Sequence, residues 1–198
     1  TDTPYAGYQD GDPRPNGFEV DRVYLDFRKK IDKTFSIRAT TDVGRSDSGK
    51  LELFLKYAYM QVNLAEDIKV RIGAAPNAQI SMSDKFWGGR WLAKSFTDQE
   101  GAVDSADIGV HALGKHANGM FKWGAAIVNG EGYGNPDLDN DKTFQARATV
   151  DPLNGDIKLP ISVYVSQEFY TPEDVDGQNI IIASVGLDQE FVSVWGEY

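Results

Sequence analysis

Apolar side chains recur at every second position along most of this chain, and that period of two limits the fold more than any other feature. Between residues 35 and 43, for example, Phe35, Ile37 and Ala39 alternate with the polar residues Ser36 and Arg38. Successive side chains of a strand point to opposite faces of a sheet, whereas a helix repeats every three or four residues. The pattern therefore predicts an all-β, antiparallel fold of about ten strands. The predicted strands cover residues 22–28, 35–43, 51–59, 68–74, 108–112, 121–127, 144–151, 161–165, 181–187 and 192–198.

The connections between these strands alternate between short and long. A helical turn or two is expected only within residues 81–95, where the apolar residues fit neither the strand period nor the helical period well. Short turns on one rim and long loops on the other are typical of an antiparallel transmembrane β-barrel, which is the fold class that we predict. The short turns are residues 30–33, 65–67, 115–119 and 187–190, and the long connections are 75–104, 129–141 and 170–178.

Composition excludes several other classes of protein. No run approaches the roughly 18 apolar residues that a membrane-spanning helix needs, whereas a spanning strand needs only about 9 to 11 alternating residues. The net charge of -10 argues against a nucleic-acid partner, which would require a basic face. Because the chain has no Cys, it contains no disulfide, thiolate metal site or Cys nucleophile.

A soluble β-sandwich or a lipocalin-like barrel would show the same alternation. Two observations favour the membrane. The apolar faces contain small residues such as Ala39, Thr41 and Ala146, which suit a face covered by lipid tails better than a closed core. Aromatic residues of the apolar parity lie toward strand ends, as in an interfacial girdle. These aromatic residues are Tyr57, Tyr59, Trp123 and Tyr198.

If the apolar faces contact lipid, residues of the opposite parity line the lumen. Basic residues are frequent among them, especially in the first four strands, while acidic residues concentrate in the long loops. Either these cations pair with acidic residues across a water-filled wall, or they form a basic ladder that draws anions through the pore. The predicted pore-lining residues are Arg22, Arg28, Arg38, Lys56, Lys69, Arg71, Lys122 and Arg147.

Longer motifs occur in two parts of the chain. The first is the run GFEVDRVYLDFRKKIDKTFSIRATTDVGR, which begins at Gly17. The second consists of FWGGRWLAKSFTDQEGAVDSADIGVHALGK from Phe86 and WGAAIVNGEGYG from Trp123. These runs resemble bacterial outer-membrane porins of the phosphate-selective (O/P-type) group, the first through an early Arg-bearing hairpin.

The resemblance implies a monomeric or trimeric barrel of about sixteen strands, with a loop folded into the lumen as a constriction. In this chain the constriction loop would be residues 76–104, which places Lys85, Arg90 and Lys94 near the narrowest point. The inner wall lacks the dense run of Arg and Lys that phosphate selectivity itself would require.

The loop alternation also gives an expectation about the ends of the chain. The first predicted strand ends in a short turn, so residues 1–17 read as a long outer loop whose preceding strand is missing. The last strand, 191–198, would finish at the outer rim. We therefore expect the central part of a longer barrel, with both termini incomplete. The rival is a closed ten-stranded barrel, whose interior would be mostly filled by side chains.

Two sets of residues have the types that a chemical site needs. Ser105, Asp107 and His111 supply the types of a catalytic triad, but side chains on one face of a strand are spaced about 7 Å, which disfavours a direct Asp–His hydrogen bond. A loop of alternating aspartates starts like a calcium loop but lacks its Gly and closing Glu. We predict no enzyme activity, no cofactor and no tightly held metal. The weak calcium candidates are Asp137, Asp139 and Asp141.

These features together predict a passive outer-membrane porin of a Gram-negative bacterium. Small hydrophilic solutes would diffuse through the lumen, with a preference for anions that comes from the inward Arg and Lys. The expected partners are outer-membrane lipid and these solutes or anions, with no nucleic acid, and the resemblance leaves both a monomer and a homotrimer open. One alternative is a non-conducting barrel that acts as a scaffold for another envelope protein. The other is a soluble β-sandwich binding module.

Overall fold

The computed structural model describes residues 20, 23–46, 49–90, 94–138, 140–169, 178–189 and 192–198. Within them the chain forms ten strands, two short α-helices and one 3-10 turn, Ala117–Gly119. Helices α1 (Ala78–Trp87) and α2 (Phe96–Gln99) lie between the fourth and fifth strands. The strands are β1 (Leu25–Lys30), β2 (Phe35–Arg45), β3 (Leu51–Ala65), β4 (Ile68–Pro76), β5 (Ala106–His116), β6 (Phe121–Val128), β7 (Lys142–Val150), β8 (Ile161–Phe169), β9 (Asn179–Gln189) and β10 (Val192–Glu197).

Each strand pairs with the next strand along the chain, so the sheet order is β1 to β10 without a crossover. All of these pairs are antiparallel, which confirms the prediction of an antiparallel β fold with about ten strands. In the described part of the chain, β1 pairs only with β2 and β10 only with β9. The sheet is not closed into a barrel, because β1 and β10 share no backbone ladder. The rival expectation of a closed ten-stranded barrel is therefore wrong.

The apolar faces of the strands are exposed and the polar faces are buried, which is the reverse of a soluble β-protein. Phe27 on β1 and Ile181 on β9 expose 65% and 74% of their surface. On the opposite face, Thr40, Gln145 and Ser184 are buried. The parity predicted from the alternation thus holds along most strands, and the polar face is the one that the rest of the described chain covers.

A bulge changes the parity of β3 halfway along the strand. Thr40 of β2 pairs with Tyr57, but the following residue of β2 pairs with Leu55, so Lys56 is an extra residue in the ladder. Tyr57 and Tyr59 consequently point to the polar face, where each ring lies against an arginine. The prediction that Tyr57 and Tyr59 belong to an outward aromatic girdle is wrong for this reason.

Helix α1 has sequence signals at both ends. The Asn77 side chain accepts the backbone N–H of Gln79 at 2.8 Å, which satisfies a donor of the first turn. The helix ends at Gly88, which has a φ of 64° and donates its N–H to the carbonyl of Asp84. The helical turns expected within residues 81–95 are confirmed, although α1 begins earlier. No helix in the described residues is long and apolar enough to cross a membrane.

A small apolar core lies on the polar face of the sheet, between the segment 76–104 and the strands. Ile80 of α1 and Val103 pack against Tyr164 of β8 and Ile182 of β9, and Tyr164 is fully buried. This core accounts for the inward apolar residues of β8 and β9. It fixes the segment 76–104 against one half of the sheet.

A glycine on β6 permits the close approach of α1. A Cβ atom at Gly124 would lie 3.0 Å from the Ala78 Cβ and 3.3 Å from the Leu113 Cδ2. Any larger residue would therefore push the start of α1 away from the sheet.

Candidate functional site

Three side chains of the segment 76–104 bond to one carboxylate on the last strand. Gln79 Nε2 donates to Glu197 Oε1 at 2.9 Å. The hydroxyls of Ser83 and Thr97 donate to Oε1 and Oε2 of the same carboxylate. We call these three hydrogen bonds the Glu197 anchor. Hydrogen bonds to an ionised acceptor are the stronger kind, so the anchor holds both helices against β10.

A second set of bonds holds the beginning of α1 on β7 and β8. Asn77 Nδ2 donates to Gln145 Oε1 at 3.1 Å and to the Tyr164 hydroxyl at 3.2 Å. Arg147 Nη1 donates to the carbonyl oxygen of Ala78 at 2.6 Å. The segment therefore has defined contacts at both ends of α1, and its position over the sheet is fixed by side-chain chemistry as well as by the apolar core.

A cavity of about 340 Å³ lies between α1 and the polar face of the sheet. Cations dominate its described lining, where the one carboxylate belongs to Asp151. That carboxylate already accepts the backbone N–H groups of Asn154 and Leu159. The strands supply Arg38, Lys69, Arg71, Lys122 and Arg147 to the cavity. Helix α1 supplies Lys85, and the connection before β8 supplies Lys158.

Side chains from widely separated strands converge on this cavity. Its lining includes Arg38 on β2 and Arg147 on β7. A flat sheet would hold β2 and β7 about 24 Å apart. The convergence therefore indicates that the sheet curves toward its polar face, with α1 in the resulting trough.

Most of the charges around the cavity have no acidic partner. Of the seven cations, only Arg38 and Lys158 form a salt bridge with a carboxylate in the described part of the chain. Their partners are Asp26, at 2.8 Å, and Asp188, at 3.8 Å. Arg71 Nε donates instead to a neutral side-chain amide at 3.1 Å. The cavity consequently has an excess of positive charge, which attracts anions.

Two of the arginines are stacked on tyrosines. The Arg38 guanidinium lies 4.7 Å from the centre of the Tyr57 ring, and that of Arg71 lies 5.0 Å from the centre of the Tyr59 ring. Such stacking is attractive and holds the planar guanidinium in one orientation. The bulge in β3 is what brings both rings to this face, so the geometry of the basic wall depends on it.

Two predicted pore-lining residues lie on the polar side but outside the cavity. Lys56 is buried, and its ammonium lies 3.5 Å from Asp42 Oδ2 and donates to the Tyr24 hydroxyl at 3.1 Å. Arg28 Nε donates to Asp26 Oδ2 at 2.8 Å near the edge of the sheet. Both cations are therefore paired with an acidic residue: Lys56 pairs across β3 and β2, as the alternative of cross-strand pairing expects, whereas Arg28 pairs within β1.

The three residues predicted for the constriction differ in their surroundings. Lys85 lines the cavity. Arg90 forms salt bridges with Asp84 at 3.2 Å and Asp98 at 2.7 Å, and Lys94 Nζ lies 3.9 Å from Asp98. Burial raises the pKa of the Asp84 carboxyl, although Arg90 favours its ionised form. Arg90 and Lys94 thus hold the segment 76–104 together.

Two predicted site residues lie outside the described residues: Arg22 of the pore lining and Asp139 of the calcium candidates. The other two calcium candidates are described. Asp137 forms a 3.1 Å salt bridge with Lys142, whose ammonium also donates to the backbone oxygen of Asp141. Within the described residues, no group of three or more His, Cys, Asp or Glu side chains is close enough to hold a metal ion.

The candidate triad residues are occupied by backbone contacts. His111 is buried on the polar face, and its Nε2 lies 3.3 Å from the backbone oxygen of Asp107. The Asp107 carboxylate accepts the backbone N–H groups of Ile108 at 2.6 Å and Gly130 at 3.0 Å. The carboxylate therefore stabilises the connection after β6 and is not directed at the imidazole.

No family model, curated protein or solved structure matches the chain. The resemblance to phosphate-selective porins therefore rests on the sequence motifs alone.

Sequence reasoning missed two functional residues. Lys158 lines the cavity but lies in the irregular connection 151–160, where a period of two cannot assign a face. Glu197 has the polar parity of β10, which was a usable signal, but its partners lie about 100 residues or more earlier in the chain.

Proposed function

We propose that the chain forms part of the wall of an outer-membrane β-barrel through which small hydrophilic solutes, anions ahead of cations, diffuse passively. The observation that carries this proposal is the reversed burial of the sheet, with apolar faces outward and a charged face inward. This is the arrangement that a strand needs when lipid covers one face and water the other.

The exposed apolar face supports the membrane part of the proposal. Large apolar residues of all ten strands are exposed on it, among them Phe27, Ile72 and Val110. Leaving one such side chain in water forgoes about 1.5–3 kcal/mol, and a soluble monomer rarely exposes a contiguous apolar patch this extensive. A β-sandwich would cover this face with a second sheet, whereas the strands of the described residues belong to one sheet.

The open edges support a larger barrel. In the described residues β1 and β10 each have one neighbour, which leaves two edges with unpaired backbone groups. Such groups are costly in lipid, and only closure removes them. A barrel of about sixteen strands, as the resemblance to porins implies, would add strands at both edges, and the same resemblance implies either a monomer or a homotrimer.

The charge of the cavity supports the preference for anions. Seven cations and one carboxylate line it, and segment 76–104 narrows the space in front of them. Fixed positive charge in a confined, partly desolvated passage raises the local anion concentration and lowers that of cations.

The test is the conductance of the detergent-extracted, full-length protein in a planar bilayer, with the reversal potential measured under a KCl gradient. We expect stable conductance steps and a reversal potential on the chloride side. The variant Lys122→Glu, inside the cavity, is expected to move the reversal potential toward the equilibrium potential of potassium. Lys115→Glu is the matched control, because Lys115 is paired with Asp67 at the short-turn rim and does not line the cavity.

Insertion without conductance would contradict the channel and favour the scaffold alternative, in which another envelope protein fills the lumen. A chain that stays dissolved without detergent would contradict the membrane location and favour the soluble binding module. Equal effects of Lys122→Glu and Lys115→Glu would contradict the role of the cavity in selecting anions.

A further inference from the structure

The cavity under α1 has an apolar side as well as a basic one. Met82 and Phe86 lie one turn apart on α1 and both border the cavity, as does Leu113 of β5. The side chain of Met82 receives a hydrogen bond from the Thr149 hydroxyl at 3.4 Å, which keeps its sulfur on β7. Small hydrated ions gain no binding energy from this apolar surface, whereas the apolar part of an organic solute does.

The basic side contains cations that remain available to a ligand. The ammonium groups of Lys69, Lys85 and Lys122 form no hydrogen bond or salt bridge within the described ranges, and each of these residues borders the cavity. The Arg147 guanidinium is held by the carbonyl of Ala78, while its Nε has no hydrogen-bond partner among the described residues. The positive charge of these four side chains is therefore not offset by a salt bridge within the described residues.

We propose that this cavity binds small organic anions that carry an apolar body, such as aromatic monocarboxylates, in preference to anions without one. This inference rests on the proposed function, since it names the class of solute that the same lumen takes. The carboxylate contacts the cations of the strands, and the ring lies against Met82, Phe86 and Leu113. Both halves of such a ligand are needed to satisfy both sides of the cavity.

The size of the cavity agrees with this class. About 340 Å³ is at the lower end of the range in which proteins hold small ligands. One substituted benzene ring with a carboxylate fits this volume. A large sugar or a peptide does not fit within it.

The experiment measures the block of chloride conductance by added organic anions in bilayers that hold the full-length protein. Benzoate is compared with acetate at constant ionic strength, and benzyl alcohol serves as the uncharged control. We expect benzoate to reach half-block at a concentration about tenfold lower than acetate, the factor that burial of roughly two methylene-sized groups supplies. Benzyl alcohol is expected to leave the conductance unchanged.

Two variants locate the site. Met82→Gln keeps the side-chain length but removes apolar surface, so it is expected to reduce the preference for benzoate over acetate about threefold. Met120→Gln is its matched control, because Met120 is exposed in the turn between β5 and β6, outside the cavity. Lys122→Gln is expected to raise the half-block concentrations of benzoate and acetate about threefold each, so that the ratio between the two concentrations is unchanged. This substitution breaks no side-chain hydrogen bond, since the Lys122 ammonium is bonded to no other described residue.

The outcomes separate this inference from the proposed function. Chloride conductance with equal half-block by benzoate and acetate would overturn the inference and leave the channel intact. An unchanged preference in Met82→Gln, or unchanged half-block in Lys122→Gln, would overturn the location in this cavity. Absence of any conductance would refute the proposed function, and the inference would fall with it.

Discussion

Removal of the Glu197 carboxylate tests whether side-chain hydrogen bonds hold the segment 76–104 on the sheet. In Glu197→Ala, the hydroxyls of Ser83 and Thr97 lose their bonds to the carboxylate, and Ser83 keeps only the long bond to the Gln79 carbonyl at 3.3 Å. Gln79 keeps a bond to the Ser184 hydroxyl at 3.1 Å. Two hydrogen bonds to a charged acceptor, at about 1.5–3 kcal/mol each, give a loss of about 3–6 kcal/mol in the free energy of docking the segment.

The assay is hydrogen–deuterium exchange of the full-length protein in detergent micelles. A loss of at least 3 kcal/mol corresponds to about a 100-fold faster opening, which we expect in peptides covering residues 78–99. Peptides from β2 and β7 are expected to keep their protection, because the sheet ladder does not include the Glu197 anchor. Glu52→Ala is the matched control, since Glu52 is exposed on β3.

Two results would refute this reasoning. Exchange in residues 78–99 that changes less than threefold would mean that the apolar core alone holds the segment. A uniform loss of protection across all strands would mean that Glu197 stabilises the sheet and has no specific role in the docking of α1.

Three further changes have expected outcomes. Gly124→Ala puts a Cβ 3.0 Å from that of Ala78, so we expect the free energy of unfolding, measured by thermal denaturation, to fall by about 1–3 kcal/mol. Lys56→Met leaves Asp42 buried and without its salt bridge, so the free energy of unfolding in urea is expected to fall by about 3–5 kcal/mol. The double variant Lys56→Met/Asp42→Asn is expected to recover most of this loss, because it also removes the buried charge. Because burial raises the pKa of Asp84, its ionisation opposes folding at neutral pH. The melting temperature of the parent protein should therefore rise, relative to Asp84→Asn, as the pH falls from 7 through that raised pKa toward about 4; a constant difference between the two proteins would contradict this.

The sequence predicted strand number, pairing direction and the face of most side chains, because an alternation over many segments is a local signal. β7 is an example: Gln145, Arg147 and Thr149 all face inward, as their parity predicts. The bulge in β3 was not predictable in this way. It depends on the register between β2 and β3, and no residue type in the strand marks Lys56 as the extra one.

The candidate site was predictable in its charge and not in its contacts. Five of the eight predicted pore-lining cations line the cavity, because each sits at a polar-parity position of a regular strand. The distinction between Arg71, which is stacked on a tyrosine, and Lys56, which is paired with a carboxylate, comes from neighbours that only the folded chain supplies. Two of the large apolar side chains of the cavity, Met82 and Phe86, come from α1, whose position over the sheet is set by long-range bonds.

The Glu197 anchor also constrains the order in which the chain can fold. Gln79 and Glu197 are separated by 118 positions, and the other partners of Glu197 are almost as distant. Closing a loop of that length is entropically unfavourable until the intervening strands have paired and shortened the path. The contacts of α1 with β7, β8 and β9 can form as those strands pair, whereas the Glu197 anchor cannot close before β10 joins the sheet. The last bonds that hold the segment 76–104 are therefore late to form, and they report that β10 has paired with β9.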